Sequence, residues 1–373
     1  MKRLAIYLTL FLAAFGCGGR HSSPAGSQNG VPDTLLYARG FKVSHCAGYD
    51  VVTVRDPWDT LKTRHTYILI DRDIEEPAGL PEGTVIRVPV EKAVIYTSVH
   101  AAMAEQLDVA DAVVGVCEPQ YIQSSAILDR ISQGTIADLG PSSSPNIEKI
   151  IDLDAGIIIA SPFENAGYGA AEKIGVPIVE AADYMESHPL GRSEWVKFYG
   201  LLFGKKELAD SLFKATAARY NGLKKLASNC SDRPTLLLEK MYGPAWALPP
   251  DDSYTVMMHR DAGADYVFSG TGVSSGAPLA FEAVFDKACN ADIWVFKYAA
   301  GSDYTLESLK EEYPLYAEFK AYREHRTYAC NTNGLSYYDD ITLHPDYILA
   351  DFISIYHPEL LPGYERRYYS EVK

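Results

Sequence analysis

The chain has 373 residues, 47% hydrophobic and 22% charged, which is the composition of a folded globular protein and excludes a wholly disordered one. This length suffices for two domains of ordinary size. The formal net charge of −15 argues against nucleic acid as a partner, because binding to phosphates requires clustered lysine and arginine side chains.

Residues 1–17 differ from the rest of the chain and predict an export signal. Lys2 and Arg3 precede an apolar run, residues 4–15, that is too short to span a bilayer as a helix. The run leads through small residues to Cys17, which resembles a bacterial lipoprotein signal with a lipidated cysteine; the alternative is an ordinary secretory signal. A flexible polar tether at 18–33 follows, so we expect a protein that is lipid-anchored in the cell envelope and faces the periplasm.

Five further cysteines leave at least one thiol unpaired in an exported chain, unless it pairs between chains. No Cys-x-x-Cys motif occurs, so the sequence predicts neither a structural zinc site nor a thioredoxin-type centre, and no metal site is expected. Buried, inert cysteine is the interpretation that we favour for most of Cys46, Cys117, Cys230, Cys289 and Cys330.

Residues 34–92 predict a β-rich extension. Short runs rich in β-forming residues occur at 49–54, 66–70 and 84–90, and prolines and glycines separate them. No helical period occurs in this segment. We expect it to pack on the first of two lobes.

Residues 93–192 alternate between apolar strands and helices and predict an N-terminal lobe. Strands that are apolar throughout and separated by helices indicate a parallel sheet covered on both faces. The expected strands are 93–97, 112–117, 156–160 and 177–180, and the expected helices are 99–107, 146–153 and 170–174.

The same series occurs again in residues 231–373, which predict a C-terminal lobe with a C-terminal helix. Two local similarities support an internal repeat: residues 107–114 resemble 261–268, and 146–151 resemble 280–285. The expected strands are 234–239, 265–268, 292–296 and 327–330, and the expected helices are 254–261, 281–287 and 316–324.

Residues 193–230 join the two lobes and predict linker helices with an interruption at Gly204. Apolar residues recur at three- and four-residue steps from Leu208 to Leu223, which gives one apolar stripe. A helix over 205–227 would be roughly 35 Å long, enough to cross from one lobe to the other. The predicted fold is therefore α/β, with two lobes joined by one long rigid helix.

Ligands of open parallel sheets bind beyond the carboxyl ends of the strands, so we expect the site in the cleft between the lobes. The loops at these ends are rich in tyrosine and tryptophan, whose flat apolar faces and polar tips suit a large ligand that is part ring and part polar. The predicted ligand-binding residues are Ser98, His100, Tyr121, Tyr168, Tyr184, Tyr242, Trp246 and Tyr298.

His100 opens a helix directly after the first strand of the N-terminal lobe. There its ring could ligate a metal centre of the ligand or bond to a carboxylate. The alternative is a histidine that only satisfies backbone groups at the start of the helix. We favour exposure of His100 to the cleft over direct ligation of metal.

Signatures of catalysis are absent from the sequence. It has no Gly-x-Ser-x-Gly, Walker or His-Glu-x-x-His motif, and no glycine-rich dinucleotide motif after a strand. The carboxylate pairs Asp251-Asp252 and Asp339-Asp340 are interpreted as solvated loop residues, because no base or nucleophile is placed near them. We therefore expect a protein that is not an enzyme and has no cofactor.

Three motifs of the N-terminal lobe, at 139–150, 156–160 and 172–179, resemble the periplasmic-binding family for iron complexes and vitamin B12. The resemblance covers roughly residues 93–358, and lipoproteins of Bacteroides-type bacteria are the most similar members. It implies two lobes joined by one long helix, and a glutamate on each lobe that docks onto arginines of a membrane permease. Glu148 and Glu282 match those glutamates. Family members often carry a further glutamate where this chain has His100, which puts the ligand in doubt but not the fold.

The resulting hypothesis is a substrate-binding lipoprotein of an ABC importer. It would capture a ferric siderophore or haem, or alternatively cobalamin, and deliver it to the permease dimer. Two alternatives stay open: a cell-surface scaffolding or adhesion lipoprotein that reuses the fold, and an exported hydrolase.

Overall fold

The computed structural model describes residues 30–272 and 278–373. Two lobes each contain a five-stranded sheet flanked by helices, and a third five-stranded sheet precedes them in the chain. The predicted α/β fold with a β-rich extension is confirmed. The predicted signal at 1–17 with Cys17, and residues 18–29 of the predicted tether, lie outside the described residues.

The extension forms a sheet in the order β1-β2-β3-β4-β5, antiparallel except for the parallel pair β4–β5. Val52, Val54 and Tyr67 of this sheet are fully buried and belong to the same apolar core as Trp195. Around Val52 and Val54, buried residues alternate with half-buried ones, because successive side chains of a strand point to opposite faces of the sheet. The strands are β1 (Val31–Pro32), β2 (Phe41–Cys46), β3 (Tyr49–Arg55), β4 (Thr63–Asp71) and β5 (Thr84–Val88).

The sheet of the N-terminal lobe is parallel throughout, in the order β10-β9-β6-β7-β8. The helix expected at 170–174 is a 3₁₀ turn at Gly169–Lys173, and α2 was not predicted. The strands are β6 (Ala93–Ile95), β7 (Val113–Val116), β8 (Ala137–Asp138), β9 (Ile157–Ala160) and β10 (Ile178–Glu180), and the helices are α1 (Ser98–Gln106), α2 (Ser125–Ser132) and α3 (Ile147–Asp152).

The linker comprises the helices α4 (Pro189–Glu194), α5 (Val196–Leu202) and α6 (Lys206–Ala227). Gly204 interrupts it as predicted: its φ of +66° favours glycine, and a Cβ there would lie 2.9 Å from Pro89. The long helix α6 reaches the second lobe, because the Tyr220 hydroxyl donates to Asp261 at 2.9 Å.

The C-terminal lobe contains a sheet in the order β14-β11-β15-β16-β17, in which only β17 is antiparallel. Its strands are β11 (Thr235–Leu238), β12 (Met241–Tyr242), β13 (Ala245–Trp246), β14 (Asp265–Tyr266), β15 (Ile293–Tyr298), β16 (Thr327–Asn331) and β17 (Ser370–Glu371). Its helices are α7 (Tyr254–Asp261), α8 (Phe281–Ala288), α9 (Leu306–Glu312), α10 (Lys320–Arg323), α11 (Tyr337–Leu343) and α12 (Pro345–Tyr356).

The single helix predicted at 316–324 was wrong. A 3₁₀ turn at Pro314–Glu318 is followed by an extended Phe319 and then by α10. The extended backbone places the Phe319 ring in the apolar core, 5.5 Å from the ring of Trp294. Burial of this ring therefore decides the local conformation against the helical pattern.

Two buried carboxylates of the linker region attach the extension to the N-terminal lobe. Glu194 accepts the backbone N–H groups of residues 36–38 at 2.7 to 2.9 Å, and Glu186 accepts those of residues 39 and 40 at 2.8 to 3.0 Å. The Trp195 indole also donates to Glu186, at 2.9 Å. Charge-assisted bonds of this kind are stronger than neutral ones, so the segment 36–40 is firmly held.

The five cysteines of the described residues are all free thiols. Burial raises the pKa of both Cys117 and Cys330 to about 12, which agrees with the interpretation of inert core thiols for these two. Cys46, Cys230 and Cys289 are half-buried.

Candidate functional site

The two lobes contact each other through helices that follow the strands of their sheets. Ser98, at the start of α1, follows β6, and its hydroxyl donates to Asp339 of α11 at 2.8 Å. This contact joins the start of α1 to α11 and so links the N-terminal lobe to the C-terminal lobe. It also corrects the interpretation of Asp339 as a solvated loop residue, because Asp339 is helical and only 4% exposed.

A second contact between the lobes involves the linker. The Arg192 guanidinium of α4 donates to the Thr342 hydroxyl at 3.0 Å and stacks 4.3 Å from the ring centre of Tyr254. Arg192 is buried, and its charge opposes the effect of burial on the pKa of two neighbouring groups. Burial raises the pKa of Asp183 to about 6 despite Arg192, whereas Arg192 and Lys297 outweigh burial and lower the pKa of Tyr254.

A charged pair lies at the carboxyl ends of β11 and β15. The Lys297 ammonium donates to the Glu239 carboxylate, and both side chains are about three-quarters buried. Burial opposes the charge on Lys297, but Glu239 outweighs it and raises the pKa of Lys297. Sequence analysis did not select either residue, although Lys297 directly follows the apolar part of a buried strand, which is a usable signal.

Several buried polar atoms at the cleft side of the N-terminal lobe have no hydrogen-bond partner within the described residues. Buried polar groups are normally satisfied, so such atoms point to a missing polar partner at this surface. The five that lie near α1 and the linker are Tyr96 Oη, Thr97 Oγ1, His100 Nδ1, Arg192 Nε and Tyr199 Oη.

His100 was predicted to be exposed to the cleft. In the structure it is almost completely buried, at 1% exposure. Burial lowers the pKa of His100 to about 4, and the ring is therefore neutral at neutral pH. Its Nε2 lies 3.4 Å from the Ser161 hydroxyl, while Nδ1 has no hydrogen-bond partner of normal geometry within the described residues.

The predicted tyrosines divide into exposed and anchored side chains. Tyr121 is 64% exposed and Tyr242 88% exposed, so both can contact a ligand. Tyr168 and Tyr184 are half-buried and donate to the carbonyl groups of Ser161 and Pro162. Tyr298 donates to Asp303 at 3.1 Å and so holds the loop that follows β15.

Trp246 is a core residue in the structure, contrary to its selection for the cleft. Its side chain is fully buried, and its indole donates to the Leu238 carbonyl at 3.0 Å. The rings of Trp294 and Tyr316 pack against it with centroids 5.9 Å apart in both cases. The side chain of Trp246 therefore cannot contact a ligand in this structure. Its position in a segment between regular elements did not predict its burial.

A polar cavity of about 460 Å³ lies between the extension and the N-terminal lobe. At its wall, Glu180 at the end of β10 accepts from the Arg64 guanidinium, and from His65 Nε2 at 2.8 Å. Burial opposes the charge on Glu180, but His65 and Arg64 outweigh it and lower its pKa to about 2. The extension thus contributes charged residues next to the predicted cleft residue Tyr168, which also lines the cavity. Nothing in the local sequence of β4 signals this contact.

Glu148 and Glu282 occupy equivalent positions in the two lobes. Each is the second residue of its helix, α3 or α8, and each carboxylate is exposed. Glu282 also lines a cavity of about 530 Å³ beside the β12–β13 turn. Their position favours a carboxylate because the helix dipole is positive there, and it leaves both groups open to a partner.

Among the described residues, no helix is both long and apolar enough to cross a membrane.

Comparison with known proteins places the two lobes in a family. Residues 93–333 match the family described as periplasmic binding protein. Two uncharacterized lipoproteins of Methanocaldococcus jannaschii are each 26% identical to the chain over 82% of its length, and the alignments cover 76% and 80% of those relatives. These alignments cover more of the chain than the family match does.

Two solved structures illustrate the likeness of fold. A TroA-like periplasmic binding protein of Veillonella parvula has a TM-score of 0.58 at 14% identity, covering 77% of this chain and 96% of that one. A periplasmic heme binding protein of Pseudomonas aeruginosa has a TM-score of 0.57 at 16% identity, covering 76% of this chain and 98% of that one. At such identities the likeness concerns the fold.

Proposed function

Because the chain belongs to the periplasmic binding protein family, we propose that it is the substrate-binding subunit of an ABC importer and captures an iron chelate or haem between its lobes. The family consists of binding proteins, so the chain is not an enzyme, and the hydrolase alternative is set aside. The scaffolding alternative remains as an outcome of the test below.

The observation that carries the proposal is the group of unpartnered polar atoms where the lobes meet. Tyr96, Thr97 and His100 each leave a buried nitrogen or oxygen atom open beside the carboxyl end of β6. These atoms are covered in the structure, so a small movement of the lobes would have to uncover them before a ligand with several oxygen atoms could supply the missing hydrogen bonds. Satisfying buried polar groups is worth more than the same bonds in water. The exposed rings of Tyr121 and Tyr242 would add flat apolar contact.

The choice of an iron chelate is supported by the names of similar proteins together with these aromatic side chains. A heme binding protein of Pseudomonas aeruginosa and a possible iron-binding protein of Staphylococcus epidermidis share the fold with TM-scores of 0.57. Cobalamin, which is also large, part ring and part polar, remains the second candidate ligand.

Ligand binding is tested by quenching of tryptophan fluorescence in the full chain, titrated separately with haem, a ferric siderophore and cobalamin. All three ligands absorb light, so they quench tryptophan without having to touch it. Saturable binding of one ligand that weakens about tenfold or more in Tyr242→Ala or Tyr121→Ala supports the proposal. A folded protein that binds none of the three would contradict it and favour the scaffolding alternative.

Delivery to the permease would use Glu148 and Glu282. Both are exposed at the second position of a helix, one on each lobe, so a symmetric pair of permease subunits could be contacted by both at once. Exposed ion pairs are screened by salt, so docking should weaken as ionic strength rises. Transport by the double variant Glu148→Ala with Glu282→Ala should fall strongly while ligand affinity is kept. Unchanged transport would exclude this role.

The lipid anchor is part of the same proposal. It is supported by the small residues before Cys17 and by the relatives that are named lipoproteins. Cys17→Ala should move the protein from the membrane fraction to the soluble fraction of the cell envelope. If the variant stays with the membrane, another segment anchors the protein.

A further inference from the structure

Three side chains with metal-binding atoms converge where the end of α6 meets the end of α12. The sulfur of Cys230, a ring nitrogen of His357 and a carboxylate oxygen of Glu359 all lie within 4.8 Å of one another. None of them belongs to the cleft between the lobes. No metal site was expected from the sequence, because no Cys-x-x-Cys motif occurs.

His357 is held in an orientation that leaves one nitrogen open. Its Nε2 lies 3.0 Å from the carbonyl oxygen of Gly263, which can only accept, so Nε2 carries the proton. The lone pair is therefore on Nδ1, which lies 3.7 Å from the Glu359 carboxylate. Metal-ligating histidines almost always donate the other ring N–H to a carboxylate, a backbone carbonyl or water, and the Gly263 carbonyl plays this part here. The ring is 3% exposed and cannot easily reorient.

Gly263 makes this orientation possible. Its φ of +88° lies in the region that favours glycine, and a Cβ at this position would stand 2.6 Å from His357 Nε2. A larger residue would push the ring away from the carbonyl group. The backbone at Gly263 is thus shaped around the ring of His357.

We infer that Cys230, His357 and Glu359 bind one divalent transition-metal ion of the zinc class, with the fourth position open to water. Thiolate, imidazole and carboxylate are all zinc ligands, and bond lengths of 2.0–2.3 Å place the donor atoms of a tetrahedral site about 3.3–3.8 Å apart. The nitrogen and oxygen atoms already stand at this separation. The sulfur needs to approach by at most about 1 Å, since no pair of donor atoms is more than 4.8 Å apart.

The ion would join the linker to the C-terminal lobe. Cys230 follows α6 directly, where its backbone N–H donates to the Ala227 carbonyl at 3.1 Å, and His357 ends α12. Because the ligands come together only in the folded chain, metal binding stabilises the folded state. This inference does not depend on the nature of the ligand in the cleft.

The test uses the full chain with Cys17→Ser, titrated with Co²⁺ in place of zinc under exclusion of oxygen. A cobalt–thiolate bond gives a charge-transfer absorption in the near ultraviolet, which reports on the cysteine directly. We expect this band to saturate at one equivalent of cobalt and to disappear in Cys230→Ser. Cys289→Ser, which removes another half-buried thiol of the same lobe, should keep it.

Glu359→Gln tests the site without disturbing the core, because the Glu359 side chain is 66% exposed. It should weaken cobalt binding about tenfold or more, a loss typical of changes around a metal site. Zinc should also raise the midpoint of thermal unfolding of the parent chain but not of Cys230→Ser. The inference is overturned if no thiolate band forms, if the band survives in Cys230→Ser, or if Glu359→Gln binds cobalt as tightly as the parent.

Discussion

The hydroxyl of Ser98 donates a hydrogen bond of 2.8 Å to the Asp339 carboxylate, and this bond joins the two lobes across the cleft. Sequence analysis assigned Ser98 to the ligand and Asp339 to the solvent. The structure instead gives each residue the other as its partner. Burial raises the pKa of Asp339 to about 6 although the bond from Ser98 opposes the shift.

Asp339 should make the stability of the protein depend on pH. Its pKa is about 6 in the folded state and 3.8 ordinarily, so the folded state binds the proton more tightly than the unfolded state. This contribution to the free energy of unfolding is complete below about pH 4 and is lost as the pH rises through 6. Asp339→Asn removes the titration, so at pH 7 the variant should be more stable than the parent by roughly 2–3 kcal/mol.

Denaturant unfolding of both proteins between pH 4 and pH 7 measures this difference, which should vanish near pH 4. The matched control is Asp252→Asn, which removes the same charge from an exposed position of the same lobe. An equal stabilisation by Asp252→Asn would mean that net charge, rather than the buried carboxylate, is responsible.

The ion pairs of Glu180 should make the protein less stable as the pH falls, whereas Asp339 makes it less stable as the pH rises. The pKa of Glu180 is about 2 in the folded state against 4.5 ordinarily, because His65 and Arg64 outweigh burial. This stability is present above pH 4.5 and is lost as the pH falls through 2. At pH 7, Glu180→Gln should lower the free energy of unfolding by about 3 kcal/mol, with a smaller loss at lower pH.

Acid unfolding followed by circular dichroism checks this result. Glu172→Gln is the control, because Glu172 lines the same cavity but is exposed and, within residues 30–272 and 278–373, accepts only the Tyr168 backbone N–H, at 2.6 Å. A loss in Glu180→Gln that does not change with pH would contradict the assigned ion pairs.

Attachment of the extension should depend on the carboxylates of Glu194 and Glu186, which accept hydrogen bonds from different backbone N–H groups. Glu194→Ala leaves the backbone N–H groups of residues 36–38 without their acceptor, and Glu186→Ala does the same for residues 39 and 40. Loss of buried charge-assisted bonds should cost on the order of 2–4 kcal/mol in each variant.

Hydrogen exchange resolves the two cases. Amides 36–38 should exchange faster in Glu194→Ala, and amides 39–40 should exchange faster in Glu186→Ala. Each variant serves as the control for the other. Uniform loss of protection over the whole extension in both variants would show that the segment opens as one unit.

Two aromatic residues of the same hairpin should respond in opposite ways to truncation. Trp246 is fully buried among aromatic rings, so Trp246→Ala should destabilise the chain by about 3–5 kcal/mol. Tyr242 is 88% exposed, so Tyr242→Ala should change stability by less than about 0.5 kcal/mol and act on ligand affinity alone. Thermal unfolding and ligand titration of both variants separate these effects. A strongly destabilised Tyr242→Ala would mean that this ring packs against the protein.

Periodic patterns in the sequence predicted the elements that depend on local rules. The helix at Tyr254–Asp261 was predicted with its observed bounds, and the structure shows that Ser253 caps it, accepting the N–H of Val256 at 3.3 Å. The interruption of the linker helices at Gly204 was also predicted from the residue type, because glycine favours the positive φ found there. Phe319 could not be predicted, since the pull of the aromatic core on its ring comes from residues distant in sequence.

The site was harder to predict than the fold for the same reason. Ser98 and His100 were selected from their position after a strand, which gives no measure of burial, so His100 was expected to be more exposed than it is. The residues that the analysis missed, Arg192, Glu239 and Arg64, matter through partners from other parts of the chain. Pairing of this kind leaves no periodic trace in the sequence.

The short strand β17 has a consequence for how copies of this protein behave towards each other. It pairs antiparallel with β16, and the Val372 N–H donates to the Thr327 carbonyl at 2.9 Å, so residues 327–329 of β16 are covered on that side. An uncovered strand edge is a template on which another chain can add. Residues 370–372 therefore reduce the tendency of this lobe to aggregate through the edge of its sheet. A fusion partner attached next to them should be separated by a spacer, so that β17 keeps its pairing with β16.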